Sequence, residues 1–219
     1  MELILPEELM LIGRTAAGHE YGGSSTRLAV AAGVIGELAL QRRIMIDGSY
    51  AFVTDPTATR HPLLDQLFGE LVQRRTAIRL TSFLREQARL YEMWLNHLVA
   101  GGLLRPEAAS GSFASTRYVP APKVRNSVLS RLWYLLNGWA KQDPRTVALA
   151  GIVHGSELGD DLIPFPADRA TLAGFGQRDP IGQAIGAVHI EARSAAAGMP
   201  FMVVSMPATP ASCTPLGGC

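Results

Sequence analysis

Apolar positions recur at helical spacing through most of this chain. Leu63, Leu64, Leu67, Phe68, Leu71 and Val72 fall three and four residues apart, the one-face pattern of an amphipathic helix, which predicts a helix over 62–74. Leu84, Tyr91, Trp94, Leu95 and Leu98 repeat the pattern over 82–100, and Gly101-Gly102 supplies its stop. The opening segment 3–12 is too densely apolar for a solvated face, so a short helix buried on most sides is expected. Pro6 would lie in its first turn and Glu7 and Glu8 at the positive end of its dipole. Ser24 and Ser25 offer an N-cap to an Ala/Gly-rich helix over 27–41. Three more helices are expected: 124–137, 144–157 behind the cap Asp143, and 180–197 behind the cap Asp179, closed by Gly198.

Two segments break the helical period. Residues 44–53 are short apolar runs around Asp47-Gly48, a hairpin signal, and residues 103–105 and 117–119 read as a second hairpin with a Gly/Ser/Ala-rich tip. The fold class is therefore mainly α, a single-domain helical core with two short β-hairpins in peripheral loops. The domain is expected over 1–198, and residues 199–219 read as a flexible Ser/Thr/Pro/Gly tail.

Composition narrows the function classes. With a net charge of +1 the chain is not a polyelectrolyte, so binding of any anion must be local. Lys123 and Lys141 are the only lysines, so the basic chemistry is almost entirely arginine, a bias that fits GC-rich bacterial coding. Both cysteines, Cys213 and Cys219, lie in the tail, which leaves the body without a thiol ligand or disulfide and is compatible with a reducing cytoplasm. No basic-then-apolar leader opens the chain and no run of about 18 apolar residues occurs, so neither export nor membrane spanning is expected.

Catalytic and metal chemistry is not signalled. The five histidines, His19, His61, His97, His154 and His189, form no His-x-x-x-His pair, and His154-x-x-Glu157 reads as a helix-end histidine. No nucleophile elbow, phosphate loop or dinucleotide fingerprint occurs; Gly174-Phe175-Gly176 lacks the third glycine. The reading is a non-enzyme with no catalytic residue, metal or cofactor, an enzyme of unrecognised type having the lowest standing.

Glu37-Leu38-Ala39-Leu40, Arg43-Ile44, Asp55-Pro56-Thr57 and Leu63-Leu64-Asp65 follow one another in an order that resembles the Golgi phosphoprotein 3 family. Leu5-Pro6-Glu7-Glu8-Leu9-Met10-Leu11, Leu98-Val99 through Leu104 and Leu149-Ala150 through Glu157 extend the resemblance over about 3–197. It implies a helical core, no catalytic residues, and recognition of phosphatidylinositol 4-phosphate by a basic pocket beside a hairpin that touches the bilayer. For a bacterial, actinobacterial-type member it implies a cytoplasmic adaptor, peripheral on the inner face of the membrane. The partners implied are anionic phospholipid head groups, tails of membrane enzymes and further copies of the chain.

Counted without gaps, the family's lipid-binding tryptophan and arginines fall on Gly22, Ala31, Ala88 and Tyr91, none of which is the family's residue. Substitutes lie one helical turn away. Arg85 and Arg89 share a helix face, Arg27 precedes Ala31 by a turn, and Tyr21 could stack in place of the tryptophan. The expected head-group site is thus Arg27, Arg85, Arg89 and Tyr21, with Arg74, Arg75 and Arg79 as background potential. Phe113 at the second hairpin tip is the expected membrane contact, worth a few kcal/mol at most by burial of one ring. A winged-helix DNA reader is the alternative, since a helix ending at His97 is followed by a hairpin; the near-zero net charge disfavours nucleic acid.

Overall fold

The computed structural model describes residues 3–74, 76–87, 91–108 and 116–196, and the structural statements below concern those residues. The fold is mainly α, as the periodicity predicts. The helices are α1 (Leu5–Ile12), α2 (Ser24–Leu40), α3 (Pro62–Arg74), α4 (Leu80–Gln87), α5 (Tyr91–Ala100), α6 (Pro122–Leu136), α7 (Pro144–Gly155), α8 (Leu158–Leu162), α9 (Pro166–Gly176) and α10 (Pro180–Ala196). Strands β1 (Ile44–Asp47) and β2 (Tyr50–Val53) form the first expected hairpin, which turns at Gly48, and the two-residue β3 (Ile78–Arg79) adds antiparallel to β2. The second hairpin pairs β4 (Leu104–Glu107) with β5 (Arg117–Pro120), Leu104 opposite Pro120 and Glu107 opposite Arg117.

The core is organised around α1. All eight of its residues are buried, Glu7 and Glu8 included, and α2, α5, α6 and α7 pack against it. Gly33 makes the closest of these approaches possible, because a Cβ there would lie 2.8 Å from the Pro6 backbone nitrogen. Burying carboxylates in this layer requires that each be paired. Glu37 of α2 accepts from the Leu5 backbone N–H at 3.0 Å and meets the Arg145 guanidinium with both oxygens, at 2.7 and 3.0 Å. The bidentate bond joins α2 to α7, and the Leu5 bond adds α1 to the same carboxylate.

The two adjacent carboxylates of α1 diverge, as neighbours on a helix must, and their surroundings shift them in opposite directions. Burial pushes the Glu8 carboxyl up even though Arg131 donates to it at 2.6 Å. Burial also opposes ionisation of Glu7, but bonds from His61, the Ile4 backbone and His97 outweigh it and hold the carboxyl low. Both stand at the helix start, as the sequence suggests, and both are buried there.

Several boundaries differ from expectation, each for a local reason. Helix α2 starts at Ser24 with Gly23 as its cap residue and no side-chain cap bond, so neither serine caps it. Asp143 and Asp179 do serve as caps, accepting from the Thr146 and Gly182 backbone N–H groups at 3.0 and 2.8 Å. Between α7 and α10, where the periodicity predicts no element, stand α8 and α9. The first is a five-residue turn, and the second carries its glycines against neighbours: a Cβ on Gly176 would strike the His154 ring at 2.1 Å. Small residues chosen for close packing are what blurred its periodicity. Arg75, Ala88, Arg89, the Phe113 tip, Gly198 and the tail 199–219 lie outside the described residues. No helix among the described residues is long and apolar enough to cross a membrane.

Candidate functional site

A polar cleft of about 450 Å³ opens where the loop after α1, the start of α5 and the start of β5 meet; Arg14, His19, Glu20, Arg27, Tyr91, Glu92, Arg117 and Tyr118 line it. The loop is fixed at both ends. Arg14 and Glu20 form an isolated antiparallel bridge, the Thr15 N–H donates to the His19 carbonyl at 2.8 Å, and Tyr21 N–H donates to the Gly13 carbonyl at 2.9 Å. Gly18 sits at its tip with φ +83°, and a Cβ there would lie 2.9 Å from the Tyr118 backbone. Both the left-handed backbone and the lack of room call for glycine, and together they press the loop onto β5 and close one wall of the cleft.

Arg14 forms the floor. It is 2% exposed, donates to the Met10 carbonyl at 3.3 Å and pairs with Glu20 at 3.3 Å. Its guanidinium carbon lies 5.5 Å from the Tyr91 ring centroid and 5.8 Å from that of Tyr118, within reach of both π faces. Arg27 approaches the same Tyr91 ring at 4.7 Å and lies 3.6 Å from Glu92. Three arginines and two glutamates leave the cleft at +1 with His19 neutral. Arg117 is the arginine of the three that no carboxylate pairs among the described residues.

Two buried guanidinium nitrogens of residues lining this cleft, Arg14 Nε and Arg117 Nε, have no hydrogen-bond partner among the described residues, while the Tyr91 hydroxyl bonds with the Arg14 and Glu20 side chains. Buried polar groups are nearly always satisfied, and each one left alone costs about 1–3 kcal/mol. Burial raises the Tyr91 hydroxyl's ionisation well above its ordinary range, so it stays a neutral donor. The cleft thus gathers three guanidinium groups and a phenol around two carboxylates.

The residues singled out in the sequence are only partly brought together. Arg27 lies in the cleft. Arg85 does not; it is ion-paired with Glu191 of α10. Tyr21 packs its ring against the core and does not line the cleft. Arg74 is bound by both oxygens of Glu86, at 2.8 and 3.1 Å. Of the aligned family positions, Ala31 is buried in α2, and Tyr91 lines the cleft with its ring.

Sequence reasoning missed Arg14, Glu20, Tyr91 and Arg117 as a set. One signal was present: between Glu8 and Glu20, Arg14 is the only residue of formal charge in a stretch that begins deeply apolar. A charge at the end of a buried helix must find a buried partner. The convergence of Arg117 is different, because it depends on how the hairpin folds back over the loop.

No curated protein matches this chain in sequence. The model of the family described as Golgi phosphoprotein 3 matches it over residues 5–185, from the first residue of α1 into α10. That stretch includes every element that builds the cleft. The chain belongs to the Golgi phosphoprotein 3 family.

Proposed function

We propose that the cleft binds the phosphate of an anionic phospholipid head group, phosphoinositide-like, and that the protein acts as a non-catalytic adaptor, peripheral on the inner face of a membrane. The observation that carries this reading is the pair of buried guanidinium Nε–H groups, Arg14 and Arg117, left without acceptors in one cleft. A phosphate oxygen is the acceptor that suits them, being charged and able to take several donors at once. Family membership supports the same reading, and so does position, since Thr116, Arg117 and Tyr118 put the cleft beside the end of the β4–β5 hairpin where Glu107 faces Arg117. The head-group residues proposed are Arg14, Arg27, Arg117 and Tyr91. Arg85, committed to Glu191, is left out. Tails of membrane enzymes remain the proposed protein partners.

Flotation with neutral vesicles and with vesicles containing a phosphatidylinositol phosphate tests the reading. Binding to the phosphorylated lipid alone, weakened by salt, is expected. Equal recovery with both vesicle types, or a preference for duplex DNA competitor over lipid, would overturn it.

A further inference from the structure

Farther along α5 from the residues just described, three potential ligand atoms meet. Glu7 of α1 faces the Nε2 of His97, from α5, at 3.0 Å, and the Nε2 of His61, just before α3, at 3.6 Å. The three ligand atoms lie within 4.8 Å of one another. We propose that Glu7, His61 and His97 form a binding site for a divalent first-row transition ion of the zinc type. This inference is independent of the head-group reading, because the two sites share no residue.

The geometry suits such an ion. With metal–ligand bonds of about 2.0–2.1 Å, two ligands of a tetrahedral site stand about 3.3 Å apart. The observed separations from the Glu7 oxygen bracket that value at 3.0 and 3.6 Å. Two imidazoles and a carboxylate are the donor set preferred by zinc and its neighbours over magnesium or calcium, and three protein ligands leave one position for water.

The ligands are also held in place from behind, as metal ligands usually are. The second oxygen of Glu7 accepts from the Ile4 backbone N–H at 3.0 Å. The buried Trp94 ring stacks on His61, centroids 5.8 Å apart and 25° between planes, and meets His97 edge-on at 6.2 Å. Glu7 is almost fully buried, whereas the His97 side chain is 38% exposed, which gives an ion a route in. His61 Nδ1 accepts a long, 3.3 Å bond from the Leu64 N–H. Loading would move the His61 ring proton from Nε2 to Nδ1 and give up that bond. A loaded ion would clip α1, the segment before α3 and α5 together across ninety residues of sequence.

Calorimetry with Zn²⁺ on the full chain carrying Cys213→Ser and Cys219→Ser, so that the tail thiols cannot compete, tests the proposal. One ion per chain is expected, with a higher thermal midpoint and affinity falling at least about 100-fold in His97→Gln and in His61→Gln. Should a variant fold poorly, the unsubstituted histidine rings still report: zinc should shift the ring ¹⁵N signals of two of the five histidines. Absence of zinc binding, or binding undiminished in folded His61→Gln or His97→Gln with no histidine signal displaced, would overturn it.

Discussion

Two buried polar clusters flank the α1–α2 layer, and they differ in one respect. Around Glu37, both carboxylate oxygens and the Leu5 N–H are paired within 3.0 Å. Around Arg14, two buried guanidinium nitrogens, Arg14 Nε and Arg117 Nε, lack partners among the described residues. Both sets contain arginines and glutamates, so residue type does not separate them. What separates them is completion: a closed network holds the fold together, while an open one has donors still available for something outside the chain. The open cluster is also the one that meets a loop and a hairpin, the elements that most often carry binding.

The largest test of the contrast is Glu37→Ala. It removes the carboxylate that Arg145 meets with two bonds, leaving that guanidinium its bond to the Leu3 carbonyl, and takes the acceptor from the Leu5 N–H; the expected loss of unfolding free energy is about 3 kcal/mol, the low end of the range for breaking a buried charged pair. Urea denaturation measures it; a loss below 1 kcal/mol, in order of magnitude, would mean that the closed network is not structural.

Tyr91→Phe probes the open cluster and should cost the bare protein far less. It removes a buried hydroxyl that bonds with Arg14 and Glu20, so the loss should not exceed about 1 kcal/mol while head-group binding weakens. A larger destabilisation with binding unchanged would move the cleft into the structural class.

The same hydroxyl gives a pH prediction. Its folded pKa is raised above the ordinary 10.0 by burial, so the native state keeps the proton longer than the unfolded chain does. The resulting stability is fully present below pH 10.0 and declines as pH rises from there toward the folded pKa. Phenolate absorbance should show one of the five tyrosines resisting ionisation in the native protein, and Tyr91→Phe should remove that component. A smaller effect on the acid side belongs to Glu7. Its lowered carboxyl stabilises the fold above its ordinary 4.5 and loses that contribution as pH falls through the folded value, so Glu7→Gln should flatten the acid limb of a thermal-midpoint profile.

The helical core was legible because its signals are local. Leu63 through Val72 face one way at a fixed period, and α3 spans Pro62–Arg74 as that period predicts. Asp143 and Asp179 mark helix starts within three residues of the bonds they make. Helix α9 was illegible because its glycines answer to neighbours such as His154, distant in sequence, and not to a period. The cleft was legible only at Arg27. Helical spacing correctly sets side chains on a face, but it does not reveal that Glu191 waits opposite Arg85, or that a hairpin brings Arg117 over Arg14. The histidine pair escaped for the same reason, since His61 and His97 meet through Glu7 and not through any local spacing.

The most direct test of the cleft is titration of a soluble inositol phosphate head group into the full chain and into two single variants, Arg117→Gln and Arg85→Gln. Arg117→Gln should bind about ten-fold more weakly, the loss of one charge-assisted bond, with its stability unchanged, and Arg85→Gln should bind like the parent. Equal binding by all three, or a loss confined to Arg85→Gln, would contradict the assignment of the phosphate to the cleft.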